Sequence, residues 1–213
     1  MEHMQILDRT FSELTAEARR LAAGPRRILG ITGPPGAGKS TLASALAAGL
    51  GLQLAVVVSM DGFHLANQVL ESRGIRERKG APDTFDDGGY AALLGRLREQ
   101  QEPVVYAPEF RRDLEEPIGS AVPVERSVPL VITEGNYLLL DSGDWSRARA
   151  QLDAVWYLEL DEGERLKRLA ARHESFGKSP ADARAWALGS DQANAELVAR
   201  HAGNADAVIR LRA

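Results

Sequence analysis

The chain has 213 residues, no cysteine and a formal net charge of −4, which excludes disulfides, thiolate catalysis and cysteine-ligated metals and gives no overall basic field for nucleic acid. Hydrophobic residues at 44% and charged residues at 26% are ordinary globular proportions, and the length suits a single domain, 1–213, with one sizeable core. No apolar run reaches membrane-spanning length and residues 1–10 lack a basic-then-apolar leader pattern, so the expectation is a cytoplasmic protein without nucleic-acid or membrane partners.

Ile6, Leu7, Phe11, Leu14, Ala18 and Leu21 recur at helical spacing before Gly24-Pro25, which predicts an amphipathic helix over 4–23 packed on the main sheet. Residues 27–32 read as a strand. Next comes Gly33-Pro34-Pro35-Gly36-Ala37-Gly38-Lys39-Ser40-Thr41, followed by the helical pattern of Leu42, Ala43, Leu46 and Ala47. Strand, glycine-rich turn and helix form the context in which G-x-x-x-x-G-K-[ST] marks a nucleoside-triphosphate site. Backbone amides must converge on phosphate oxygens, so the turn needs residues that tolerate unusual φ/ψ and carry no Cβ in the way. The helix aims its positive end at the same anion. Residues 33–41 are therefore the candidate cradle for ATP, with Lys39 reaching the β/γ-phosphates and Ser40 taking a position on Mg²⁺.

The continuous apolar run 54–58 reads as a strand buried on both faces and ends in Ser59-Met60-Asp61-Gly62-Phe63-His64. Open parallel sheets bind ligands beyond the carboxyl ends of their strands. A carboxylate there, Asp61, can orient or deprotonate a hydroxyl attacking the γ-phosphorus; a turn-capping role is the alternative. His64 either lines an acceptor pocket or caps a turn. Periodicity disappears from 73 to 87, a polar stretch with Arg76, Arg78, Lys79 and Phe85, whose cations could hold an anionic substrate or stay solvated. Asp86 or Asp87 caps the next helix, with Tyr90, Leu93, Leu94 and Leu97 on its core face.

Residues 103–108, including Tyr106, are extended, and Phe110, Arg111 and Arg112 follow in a polar loop, the arginine pair being compatible with a small anionic ligand. The proline-bearing runs 117–120 and 122–124 suggest a small hairpin or edge strands. The buried-type strand 129–133 ends at Glu134, a second strand-end carboxylate placed to hold the Mg²⁺ water shell, to assist Asp61, or to bond loop amides. A brief helix at 145–150 and a strand at 154–160 follow. In the next helix Arg165, Arg168 and Arg172 share a face, as phosphate clamps or as partners of Asp161, Glu162 and Glu164. A short lid is expected at about 172–180, then a helix with Trp186 and Leu188, and a last strand at 207–211. The alternation of strands and helices predicts an α/β fold, a mainly parallel sheet covered on both faces.

Taken together, the phosphate loop, Asp61-Gly62-Phe63-His64, Arg78-Lys79-Gly80-Ala81-Pro82-Asp83-Thr84-Phe85-Asp86, Tyr106-Ala107-Pro108-Glu109-Phe110-Arg111-Arg112, Glu134-Gly135-Asn136-Tyr137 and Asp191-Gln192-Ala193-Asn194-Ala195 resemble the phosphoribulokinase/uridine kinase family. The resemblance spans about residues 27–211 and is closest in detail to bacterial nucleoside/nucleotide kinase-like proteins, some described as fructose transport system kinases. It implies an adenylate-kinase-like P-loop NTPase fold, ATP and Mg²⁺, phosphoryl transfer to a hydroxyl of a small metabolite, Asp61 as base, and Arg165, Arg168 and Arg172 as lid-helix arginines. Uridine kinases typically have Asp-Ser-Phe-Tyr where this chain has Asp61-Gly62-Phe63-His64, so the resemblance does not carry a pyrimidine over.

The expected enzyme is a kinase acting on a sugar, nucleoside or vitamin-precursor hydroxyl. Lys39, Asp61, Glu134, Arg165 and Arg168 would do the chemistry, residues 33–41 with Arg172 would bind ATP, and Ser40 with Glu134 would hold the metal. Asp61, His64, Arg78, Lys79, Phe85, Tyr106, Phe110 and Arg111 would bind the acceptor. The rival is an ATP-binding regulatory switch or ATPase with no small-molecule acceptor. A homodimer is compatible with the sequence.

Overall fold

The computed structural model describes residues 6–175, 177 and 179–212. Ile6–Arg9 (β1) ends at Thr10, whose side chain accepts from the Glu13 amide while the Glu13 carboxylate accepts from the Thr10 amide. That reciprocal cap starts α1, Phe11–Leu21. The helix expected over 4–23 is therefore shorter, and residues 4 and 5 lie outside the described residues. Ile6 and Leu7 are not helical because they pair with Val208 and Ile209 of the last strand. Long-range strand pairing overrides a helical spacing that these two residues share by coincidence.

The chain continues through β2 (Arg27–Thr32), α2 (Lys39–Leu50), β3 (Ala55–Ser59), α3 (Asn67–Ser72), α4 (Asp87–Arg98), β4 (Val104–Arg111), β5 (Glu116–Glu125), β6 (Leu130–Glu134) and α5 (Trp145–Arg149). It ends through β7 (Ala154–Glu159), α6 (Glu162–Ser175), α7 (Pro180–Leu188), α8 (Ser190–Arg200) and β8 (Ala207–Leu211). Six strands form one parallel sheet in the order β1-β8-β7-β2-β6-β3. The strand at 207–211 is thus internal, with β1 outside it.

Alternation along the strands sorts the apolar runs onto two faces. Ile28, Val131, Val155 and Tyr157 join one core with side chains of α4, α5 and α8. Leu29, Ile31, Leu130, Ile132, Trp156 and Leu158 join another with α1 and α2. Helices on both faces explain why these strands are apolar on both sides. Asp86 caps α4 by accepting from the Gly89 amide.

β4 and β5 form a separate antiparallel hairpin, with a bulge between Ala107 and Glu109. The expected polar loop after residue 108 is in fact strand as far as Arg111. Prolines fit because this ribbon has only edge strands. The carboxyl ends of β2, β3 and β6 lie side by side, and the register places Glu134 opposite both Ile31 and Ser59. Three segments therefore meet at one end of the sheet: the phosphate loop, the turn after β3 and the end of β6.

Candidate active site

The phosphate loop leaves β2 and enters α2 at Gly38, whose φ of 95° is left-handed. At Gly33 a Cβ would sit 2.5 Å from the Leu158 carbonyl oxygen, so only glycine fits there. Lys39 is buried, and its ammonium donates to the Pro34 carbonyl oxygen at 3.0 Å. Burial lowers its pKa from 10.5 to about 8, against the attraction of Glu134 and Asp61. A cation held partly desolvated inside a loop of amides is a strong electrostatic receptor for phosphate.

Glu134 is buried at the end of β6 and accepts from the Ser40 hydroxyl at 3.1 Å and the Ser59 hydroxyl at 2.6 Å. Burial raises its pKa and the nearby Asp61 charge adds to the rise. Ser59 also accepts from the Asp61 amide at 3.2 Å, opening the short helical turn Met60–Phe63. The Asp61 side chain is 28% exposed and its ion-pair partner is Arg112 at 3.5 Å. Ser40 and Glu134 are hard oxygen donors facing each other beside the phosphate loop. Among the described residues no cluster of three or more His, Cys, Asp or Glu could hold a metal alone. That donor set fits Mg²⁺, which takes one or two protein oxygens and fills the rest of its shell from phosphate and water.

These groups open into a cleft of about 500 Å³. Of the residues singled out by sequence, Pro35, Lys39, Ser40, Asp61, His64, Lys79, Phe85, Phe110, Glu134 and Arg172 line it. His64 is packed between Phe85 and Phe110, ring centroids 4.0 and 4.7 Å away, and its Nδ1 lies 2.8 Å from the Asp61 carbonyl oxygen. Burial lowers its pKa, against the pull of Asp61.

Three expected acceptor residues are not brought to the cleft. Arg78 is exposed and pairs with Asp83 at 3.0 Å. Arg111 is exposed and pairs with Asp113 at 2.8 Å, while its neighbour Arg112, in the turn just past the end of β4, lines the cleft. Tyr106 is 56% exposed because the β4 bulge reverses the alternation: Val105 and Ala107 are buried before it, Phe110 is half-buried after it.

The lid-helix arginines separate likewise. Arg165 is 1% exposed and sits behind the phosphate loop, donating to the Pro35 carbonyl oxygen at 3.4 Å, to Glu162 at 2.7 Å and to Gln192. It faces inward with Leu169, and it supports the loop from behind rather than reaching into the cleft. Arg168 is exposed on Glu164 at 3.0 Å, alongside Gly38 and outside the cleft. Arg172, further along α6, lines the cleft; burial lowers its pKa, against the pull of Asp191. Residues 176 and 178 of the expected lid lie outside the described residues.

The wall that sequence reading left without a role comes from α7 and α8: Trp186, Ser190, Asp191 and Asn194. Asn194 donates to the Gly80 carbonyl oxygen at 3.4 Å, and the Tyr137 hydroxyl donates to the same oxygen at 2.5 Å. The available signal was polar side chains three apart on one helix face, at Asp191 and Asn194. Gly62 has a steric reason: a Cβ there would lie 2.5 Å from the Pro108 carbonyl oxygen, so the hairpin closes on this turn only over glycine.

The family described as AAA domain matches residues 29–188. A Schizosaccharomyces pombe protein named "Putative uridine kinase C227.14" is 32% identical over 173 residues, covering 77% of this chain and 74% of that one. A crystal structure of a "putative fructose transport system kinase" from Silicibacter sp. TM1040 is 37% identical and superposes with a TM-score of 0.83, covering 95% of this chain and 98% of the other. YFH7 from Saccharomyces cerevisiae, at 17% identity and a TM-score of 0.81 over 96% of this chain and 100% of that one, shares the fold. The phosphate loop, the α/β architecture and these relatives lead to one assignment: the chain belongs to the AAA-domain family of P-loop proteins and has the fold of its kinase-like relatives.

Proposed function

We propose that the protein is an ATP-dependent phosphotransferase that moves the γ-phosphoryl group to a hydroxyl of a small metabolite. The observation that carries this reading is the cleft shared by the Lys39 ammonium and the Asp61 carboxylate, with room beyond them for a second molecule. A nucleotide switch needs the loop but has no use for that space, nor for a carboxylate aimed into it.

The amides of 33–38 and Lys39 bind the β- and γ-phosphates, and Arg172 offsets charge as it spreads over the transferred group. Ser40 and Glu134 would hold Mg²⁺, which would supply charge neutralisation at the phosphates. Asp61 accepts the proton of the acceptor hydroxyl while the new oxygen–phosphorus bond forms and the bond to ADP breaks. Asp61 is better suited to this than Glu134, which is buried at the phosphate-loop end and turned toward the Ser40 and Ser59 hydroxyls. Arg112 holds Asp61 toward the acceptor.

Asp61→Asn tests the scheme. Its ATP affinity should stay within about threefold of native while acceptor-dependent ADP release falls by about 10²-fold or more. Near-native turnover would remove Asp61 from the role of base. ADP release that no acceptor stimulates in the native protein would favour the switch.

A further inference from the structure

Beyond the phosphate loop and Asp61, the cleft is lined by Arg76 and Lys79 together with Glu77 and Glu115. His64 lies between the Asp61 carbonyl oxygen, 2.8 Å from its Nδ1, and the Phe110 ring, whose centroid is 4.7 Å from its own and 5.1 Å from the Lys79 ammonium. The cleft thus runs from the phosphate cradle past Asp61 and His64 to a cationic end.

At that end Lys79 and Arg76 are half-buried like charges close enough to repel. The Lys79 ammonium donates to neutral oxygens, the Asn67 side-chain carbonyl at 2.7 Å and the Glu115 backbone carbonyl, and lies 5.1 Å from the Phe110 ring centroid. The Arg76 guanidinium has no hydrogen-bond or ion-pair partner among the described residues, its backbone carbonyl accepting from the Lys79 amide at 3.1 Å. The Glu116 carboxylate attracts Lys79 but is hydrogen-bonded to the Asn67 amide, and Glu77 and Glu115, which line the same cleft, are exposed to water and make no ion pair with either cation. Two cations without an ion-paired carboxylate, in a cleft that the His64, Phe85 and Phe110 stack also lines, form a receptor for an anion on a small ligand.

We propose that the acceptor carries a carboxylate or a phosphate ester, which Arg76 and Lys79 bind while its hydroxyl faces Asp61. This rests on the phosphotransferase reading for its second half only; the anion-binding end of the cleft stands by itself. The His64 stack sets the length between the two ends.

The test uses the full chain with the cradle filled by Mg²⁺ and a non-hydrolysable ATP analogue, so that added anions meet only the rest of the cleft. Calorimetry compares glycerate with glycerol for the carboxylate and glucose 6-phosphate with glucose for the phosphate ester. The pair that shows a preference identifies the anion. The expected result is that at least one anionic probe binds about tenfold or more tightly than its neutral partner. That preference should drop in Arg76→Gln, vanish in Arg76→Gln/Lys79→Gln, and persist in the exposed control Arg78→Gln, all with unchanged affinity for the ATP analogue. Equal binding of charged and neutral partners, no binding of either anion, or a preference that survives the double substitution would overturn the proposal. ADP release with the same probes separates the two readings. Anion binding without transfer leaves the anion site and removes the phosphotransferase, whereas transfer to a neutral acceptor alone does the reverse.

Discussion

Lys39→Met separates the stability of the fold from its function. In the native protein the buried ammonium titrates at about 8 instead of 10.5. That depression corresponds to a penalty of about 3 kcal/mol for keeping the charge at neutral pH. Methionine removes the charge, fills similar space and leaves the Pro34 carbonyl without its donor, a loss of about 1 kcal/mol. The net expectation is a nucleotide-free protein stabilised by about 2 kcal/mol, or roughly 4–8 °C in Tm for a chain of this size. Thermal unfolding at pH 7 without nucleotide reads this directly, and ATP binding should be lost in the same variant. The pH dependence provides a second reading. Between pH 8 and 10.5 the folded protein has released the lysine proton and the unfolded chain still holds it, so native stability rises with pH across that window. The gap between variant and native should shrink over the same range. A variant that melts below the native protein at pH 7, or a gap constant from pH 7 to 10.5, would refute the reasoning.

Arg165→Ala should cost about 2–3 kcal/mol in urea unfolding, because a buried guanidinium with three partners is removed, and ATP affinity should fall as the loop at Pro35 loses its backing. Native affinity in that variant would contradict a supporting role. Gly62→Ser should destabilise by about 1–3 kcal/mol, since its side chain meets the Pro108 carbonyl. Its effect on turnover should exceed its effect on ATP binding, as the hairpin carrying Phe110 and Arg112 is what must move. Burial holds His64 neutral below the pH at which the unfolded imidazole gains its proton, so stability should fall as pH drops through the mid-6 range and below. His64→Phe should flatten that fall in melts at pH 7 and pH 5; parallel curves would remove His64 as its source.

The phosphate loop and the two strand-end carboxylates were legible because their chemistry is local. A glycine-rich turn between strand and helix, and an acidic residue just past an apolar run, can be read without knowing which strands are neighbours. What depends on neighbours was less legible. Ile6 and Leu7 fit a helical stripe, and only their pairing with Val208 and Ile209 makes them a strand. Arg111 and Arg112 are equivalent in sequence; the end of β4 between them separates the one that pairs with Asp113 from the one that meets Asp61. Arg165 and Arg172 lie on one helix, yet the path of α6 past the loop buries the first and opens the second to the cleft. Asp191 and Asn194 reach the site only through the packing of α7 and α8.

The register of β1 against β8 bears on how the molecule assembles. Among the described residues, β1 pairs in the sheet with β8 alone, residues 6–9 standing opposite residues 208–211, so it has no sheet neighbour until β8 is in place. Pairing across so long a stretch of chain is intrinsically slow. Removing β8 would leave β1 without a partner and bare one side of β7, while β2, β3 and β6, which build the nucleotide end, keep their own pairings.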